Sequence, residues 1–166
     1  PNTAVTELML TSVVEIVPPV IASQVDRIKD GSFGGVYKPG LGVGVELAEL
    51  NADIIRRAAA VGIDKFVIHA SGEPIADDKR SERMSRAKES LAALADECEK
   101  SSAHLCVEDL PRTCLGHSIA DMQTLLEDPR LFCCFDTNHI TVEKPQEVIR
   151  ALGARIATLH VSDFDF

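Results

Sequence analysis

Short apolar runs rich in β-branched and aromatic residues alternate along this chain with longer segments of helical period, and that alternation restricts the fold most. The runs are "ELMLTS" (7–12), "FGGVYK" (33–38), "KFVIHA" (65–70), "HLCVEDL" (104–110), "LFCCFD" (131–136) and "ATLHVSDF" (157–164). Helical segments are expected near 14–29, 45–62, 81–101, 118–127 and 145–152. The fourth and fifth runs are apolar without clean alternation, as expected of strands covered on both faces. About six parallel strands with intervening helices make an α/β protein whose crossovers are right-handed. The helix near 81–101 is the clearest. Ser81 is placed to cap it, and Met84, Ala87, Leu91, Leu94, Ala95 and Cys98 form one apolar stripe. Pro18 and Pro19 interrupt the first helical segment. At 166 residues the chain is one domain's worth.

The segment "GSFGGVYKPGLGVG" packs six glycines into fourteen residues. Neither GxGxxG nor GxxxxGK[ST] occurs in it, and Lys38 is followed by Pro39, so a turn-rich strand is the expectation over a phosphate loop. A net charge of −9 and a pI near 5.0 argue against nucleic acid as a main partner. One Tyr and no Trp leave little on which to stack bases. No run approaches the roughly 18 apolar residues of a membrane span, and the N-terminus lacks the organisation of a signal peptide. The cysteines, Cys98, Cys106, Cys114, Cys133 and Cys134, are odd in number and include no CxxC. They are expected to be buried free thiols in a reducing, cytoplasmic compartment rather than a disulfide framework or a thiolate zinc site.

From the third run onward each strand ends in a side chain that can bind metal or move protons. "FVIHAS" ends on His69, "LCVEDLPR" on Glu108 and Asp109, "CCFDTNH" on Asp136 and His139, and "TLHVSD" on His160 and Asp163. Parallel α/β folds put all C-terminal strand ends on one face, so these groups converge. Three oxygen or nitrogen donors from different strands make a divalent-metal site with open positions. Taken singly the residues are ambiguous. His69 can equally be a hydrogen-bonded structural histidine, and Asp136 can hold a turn. Glu108 is harder to set aside, because a carboxylate ending an apolar strand is costly unless paired or ligated. His104, at the start of its strand, is assigned to the opposite face. His117, at a helix start, is expected to be solvated.

"FVIHASGEPI", "VEDLPRTCLG", "CFDTNHI" and "IATLHVSDFDF" together resemble the xylose isomerase-like TIM barrels of the sugar phosphate isomerase/epimerase group, over roughly residues 51–166. The resemblance implies a barrel with a divalent metal (Mn, Mg, Co or Zn) at its C-terminal face. It implies Glu108, Asp136 and His160 as metal ligands and Glu108 and His139 as the catalytic pair. His69, His139 and Arg112 would be the substrate contacts, with Arg112 equally readable as an exposed loop arginine. The implied enzyme is an isomerase working by enediolate chemistry on a small-molecule sugar or sugar phosphate. The metal would polarise the oxygens, and carboxylates would move the proton.

Two departures qualify that activity. Some epimerases carry a second glutamate six residues after the ligand glutamate, where this chain has Cys114. The family's fourth ligand and second proton-transfer carboxylate follow the "HVSD" strand, beyond Phe166. Residues 1–50 loosely resemble a basic-membrane-protein-type periplasmic binding protein, which raises the option of a chimera: a βαβ-like segment joined to a barrel-derived segment in one α/β domain. Two architectures remain open, a partial TIM barrel and a flavodoxin-like doubly wound sheet. Two functions also remain open, a metal-dependent sugar isomerase or epimerase and a non-catalytic scaffold. Association of two chains, as a homo-oligomer, is a further expectation.

Overall fold

The structure, a computed structural model, describes residues 13–15, 45–72, 75–140 and 142–161. In chain order the elements are β1 (Val13–Glu15), α1 (Val45–Ala59), β2 (Lys65–His69), α2 (Asp77–Lys100), β3 (His104–Glu108), α3 (Ile119–Leu125), β4 (Leu131–Asp136), α4 (Pro145–Leu152), a single 3-10 turn over 153–155, and β5 (Ile156–His160). The strands form one parallel sheet in the order β1-β2-β3-β4-β5. Each strand therefore pairs with the one before it, which is the winding of a TIM barrel. A doubly wound sheet reverses direction at a switch point, and no reversal occurs among the described strands, so the flavodoxin-like alternative is not the architecture seen.

Alternation within the strands separates two apolar layers. Phe66, Ile68, Leu105, Val107, Leu131, Cys133 and Phe135 point to the helices, where they join Ala87, Leu91, Leu94, Ala95 and Cys98 of α2 and Val148 and Leu152 of α4. Val67, Cys106 and Cys134 point the other way and make a smaller cluster with Phe132 and Ala157. Residues two positions on along the same faces, His69, Glu108 and Asp136, inherit that inner direction. Register aligns them: His69 pairs with Glu108 across β2 and β3, and Asp136 with His160 across β4 and β5. Between β4 and β5 the ladder slips at Cys133/Cys134, where Ile156 and Thr158 are successive partners and Ala157 is the extra residue of a bulge.

The helices end where their sequences dictate. In α3 the Ser118 side chain caps the helix by accepting from the Asp121 N–H at 3.3 Å. Pro145 opens α4, where its missing N–H costs nothing, and Glu147 accepts from the Lys144 N–H at 3.0 Å. Arg56 and Arg57 lie in the last turn of α1, favourably placed for the helix dipole.

Two expectations fail in detail. The long helix begins at Asp77 rather than Ser81, with Ala76 in extended conformation before it and no side-chain cap; Asp77 and Asp78 at the dipole's positive end take that part. Val13–Glu15 is a strand paired with β2, so no helix starts at 14. The remainder of the expected first helix, the 7–12 and 33–38 strands, Pro18–Pro19 and the glycine-rich segment lie outside the described residues, as does almost all of the stretch likened to a binding protein. All five cysteines are buried free thiols, as expected. No described helix is long and apolar enough to cross a membrane.

Candidate metal centre

The C-terminal ends of β2 to β5 bring His69, Glu108, Asp136, His139 and His160 together around one carboxylate. Glu108 is 2% exposed. Its Oε2 lies 2.9 Å from His69 Nε2, and its Oε1 lies 3.1 Å from His160 Nδ1 and 3.4 Å from His139 Nδ1. Asp136 Oδ2 is 3.8 Å from His139 Nε2 and 3.9 Å from His160 Nδ1. Burial opposes ionisation of Glu108, but the hydrogen bonds and charges of His69 and His160 outweigh it and hold the carboxyl below its usual range.

Donor atoms of Glu108, Asp136 and His139 lie within 4.8 Å of one another, as do those of Glu108, Cys134 and His160. The expected set of Glu108, Asp136 and His160 is not itself one of these groups; it is divided between them, with His160 Nδ1 3.1 Å from Glu108 Oε1 and 3.9 Å from Asp136 Oδ2. Carboxylate oxygen and imidazole donors suit a divalent ion. Glu108 Oε1 and His160 Nδ1, both able to ligate a metal, are hydrogen-bonded to each other. The residues present fit the group.

Arg112, the other expected substrate contact, follows β3. It is exposed, in the loop after β3, with a left-handed backbone (φ 56°). That loop is stitched to the loop after β2. Leu115 N–H donates to Ser71 Oγ at 2.9 Å, and Ile75 N–H to Thr113 Oγ1 at 3.4 Å. Arg80, from the first turns of α2, donates to the carbonyls of Thr113 (2.9 Å) and Cys114 (3.0 Å) and pairs with Asp121. His117 belongs to this clamp, its Nδ1 2.6 Å from Arg80 Nη2 and 3.0 Å from Asp121 Oδ2, so it is not the solvated side chain expected. His104 is exposed and packs edge-on against Phe132 with ring centroids 4.6 Å apart. Asp163 and Asp165 lie outside the described residues.

Sequence reasoning counted Asp109 among the converging strand-end groups but gave it no role. It is fully buried, its Oδ1 accepts from the Asp136 N–H at 2.6 Å, and its Oδ2 has no partner. Burial, with the charges of Asp136 and Glu108, pushes its carboxyl up to about 7 against the pull of that hydrogen bond. The one signal available was a second carboxylate immediately after Glu108.

The sequence pattern of one family, described as "Xylose isomerase-like TIM barrel", matches residues 46–166. The chain belongs to the xylose isomerase-like TIM barrel family. Solved structures agree on the fold. A D-tagatose 3-epimerase-like protein superposes with a TM-score of 0.65 at 19% identity, covering 93% of this chain and 67% of that one. D-Psicose 3-epimerase from Clostridium cellulolyticum H10 gives 0.65 at 17%, covering 92% and 63%. The IOLI protein, solved with a bound zinc atom, gives 0.59 at 15%, covering 73% and 46%. The chain thus spans between about three fifths and two thirds of the epimerase structures it matches. No curated protein sequence matches it. Nothing in these similarities supports a chimera.

Proposed function

We propose that this domain is a divalent-metal-dependent isomerase or epimerase of sugars or sugar phosphates. The carrying observation is Glu108, a buried carboxylate bracketed at 2.9, 3.1 and 3.4 Å by His69, His160 and His139. A carboxylate so enclosed needs a cation or proton donors to compensate its burial. Glu108, Asp136 and His160 would hold the ion, and the family membership and the zinc-bound neighbour point the same way. When bound, the ion supplies Lewis-acid polarisation of adjacent carbonyl and hydroxyl oxygens.

The chain's own groups carry the remaining chemistry. Proton transfer next to a carbonyl needs a base within hydrogen-bond reach of the carbon acid. The second oxygen of Glu108 can take and return that proton, with His69 2.9 Å away to hold it in orientation. His139 donates from Nδ1 to the Asp109 carbonyl at 2.7 Å, because a carbonyl only accepts. Its Nε2 is thereby left as an acceptor, suited to a substrate hydroxyl. Arg112, on its clamped loop, is the group assigned to a substrate phosphate or hydroxyl at the rim.

Calorimetric titration of the purified chain with Co²⁺ or Mn²⁺ tests the reading. One ion per chain should bind at micromolar concentration, and Glu108→Gln should abolish uptake. Absence of uptake by the wild-type chain refutes it.

A further inference from the structure

We infer that Asp109 is the positioning residue of this centre, holding Asp136 and His139 in their working geometry without itself touching the ion or the substrate. The inference rests on the metal-centre reading above. Three bonds converge on this one residue from the end of β4. Its backbone N–H donates to the Cys134 carbonyl at 3.2 Å. Its carboxylate Oδ1 accepts from the Asp136 N–H at 2.6 Å, and its carbonyl accepts from His139 Nδ1 at 2.7 Å.

The parallel ladder between β3 and β4 runs only to the Glu108–Cys134 pair. Beyond it the two strand ends, where the ligands sit, would be free to splay. Asp109 extends the connection by two residues with a side chain in place of backbone. The chain after Asp136 turns back on itself, with Asn138 N–H donating to Asp136 Oδ1 at 2.8 Å and His139 N–H to the Asp136 carbonyl at 3.3 Å. A shift of the Asp136 backbone would therefore carry His139 with it. The carbonyl contact also selects the His139 tautomer, which makes Nε2 the acceptor. Outer groups that orient ligands in this way typically matter ten- to a hundred-fold in metal affinity.

The experiment compares Co²⁺ dissociation constants, by calorimetry, in the wild-type chain, Asp109→Ala and Asp109→Asn. Asparagine keeps an acceptor for the Asp136 N–H and places its amide where Oδ2 has no partner. Alanine removes the acceptor. Asp109→Ala should weaken Co²⁺ binding at least tenfold, and Asp109→Asn should restore it to within about threefold of wild type. Unchanged affinity in Asp109→Ala, or equal loss in both variants, overturns the inference while leaving the metal centre intact. Failure of the wild-type chain to bind Co²⁺ instead overturns the reading on which it rests.

Should Asp109→Ala not fold, ¹⁵N chemical shifts of the metal-free wild-type chain decide. His139 protonated on Nδ1, with a strongly exchange-protected Asp136 amide, supports the arrangement. His139 protonated on Nε2, or a freely exchanging Asp136 amide, overturns it.

Discussion

Replacing Arg80 with alanine should cost about 3 kcal/mol of folding stability, and the figure follows from what its guanidinium touches. Two of its contacts are backbone carbonyls, Thr113 and Cys114, at 2.9 and 3.0 Å. Each such bond contributes about 1 kcal/mol net. Beyond these, Nη2 meets the Asp121 carboxylate and His117 Nδ1, and only the charged pair is counted. Side-chain exposures of 25% for Arg80 and 17% for Asp121 keep that pair from being fully screened, so about 1 kcal/mol is assigned to it. For a domain of this length such a loss lowers Tm by about 6–12 °C. Lysine would keep the charge near Asp121 but cannot fork to two carbonyls, so Arg80→Lys should cost about 2 kcal/mol. Urea unfolding, with midpoints compared at constant m-value, measures both. A double-mutant cycle with Asp121→Asn should return a coupling near 1 kcal/mol. A cost for Arg80→Ala below about 1 kcal/mol would show that water replaces the guanidinium freely and that the loop after β3 does not depend on it.

Two further outcomes follow from local chemistry. Burial pushes the Cys98 and Cys106 thiols from 9.0 up to about 12; a group whose folded pKa is raised stabilises fully below its unfolded pKa, so stability should hold to about pH 9 and then fall as pH rises toward 12, by at most about 1.4 kcal/mol per pH unit per thiol. Cys106→Ala should flatten that slope in urea midpoints taken between pH 8 and 10.5, and an unchanged slope would contradict the burial argument. Gly116 has φ +92°, and a Cβ there would lie 3.0 Å from Met122 Sδ and 3.5 Å from the Glu108 carbonyl oxygen; Gly116→Ala should cost about 1–2 kcal/mol, more than Gly62→Ala, where φ is +93° but the space is open.

Legibility in the sequence divided along a physical line. Strands β2 to β5 and helix α4 were readable because short apolar runs and a proline-opened amphipathic segment are local signals, and β4 and α4 begin and end where expected. The convergence of His69, Glu108, Asp136 and His160 was readable because parallel winding fixes which strand ends share a face. The start of α2 was misread because Ser81 offers a good cap, whereas the helix starts on two aspartates after an uncapped alanine. Arg80 and His117 gave no signal, since the partners of Arg80 lie 33 to 41 residues away and only the fold brings them together. Asp109 was legible as a strand-end carboxylate, but alternation concealed its contact with Asp136. A residue next to an inward-facing one on a strand is expected to face the other way, but β3 ends at Glu108 and Asp109 accepts from the Asp136 N–H at the end of β4.

The slip between β4 and β5 sets the phase of the last strand. Ile156 packs on the helix-side core, and His160, four residues later, reaches Glu108 on the inner side. In an unbroken strand an even separation puts both side chains on one face. The extra residue at Ala157 converts that even count into an odd one. Core packing and the presentation of His160 on β5 are thus written in opposite phases, joined at a single residue. Substitutions along β5 leave the phase untouched, whereas losing or gaining one residue between Ile156 and His160 would force the strand to abandon either its seat on the core or its place beside Glu108.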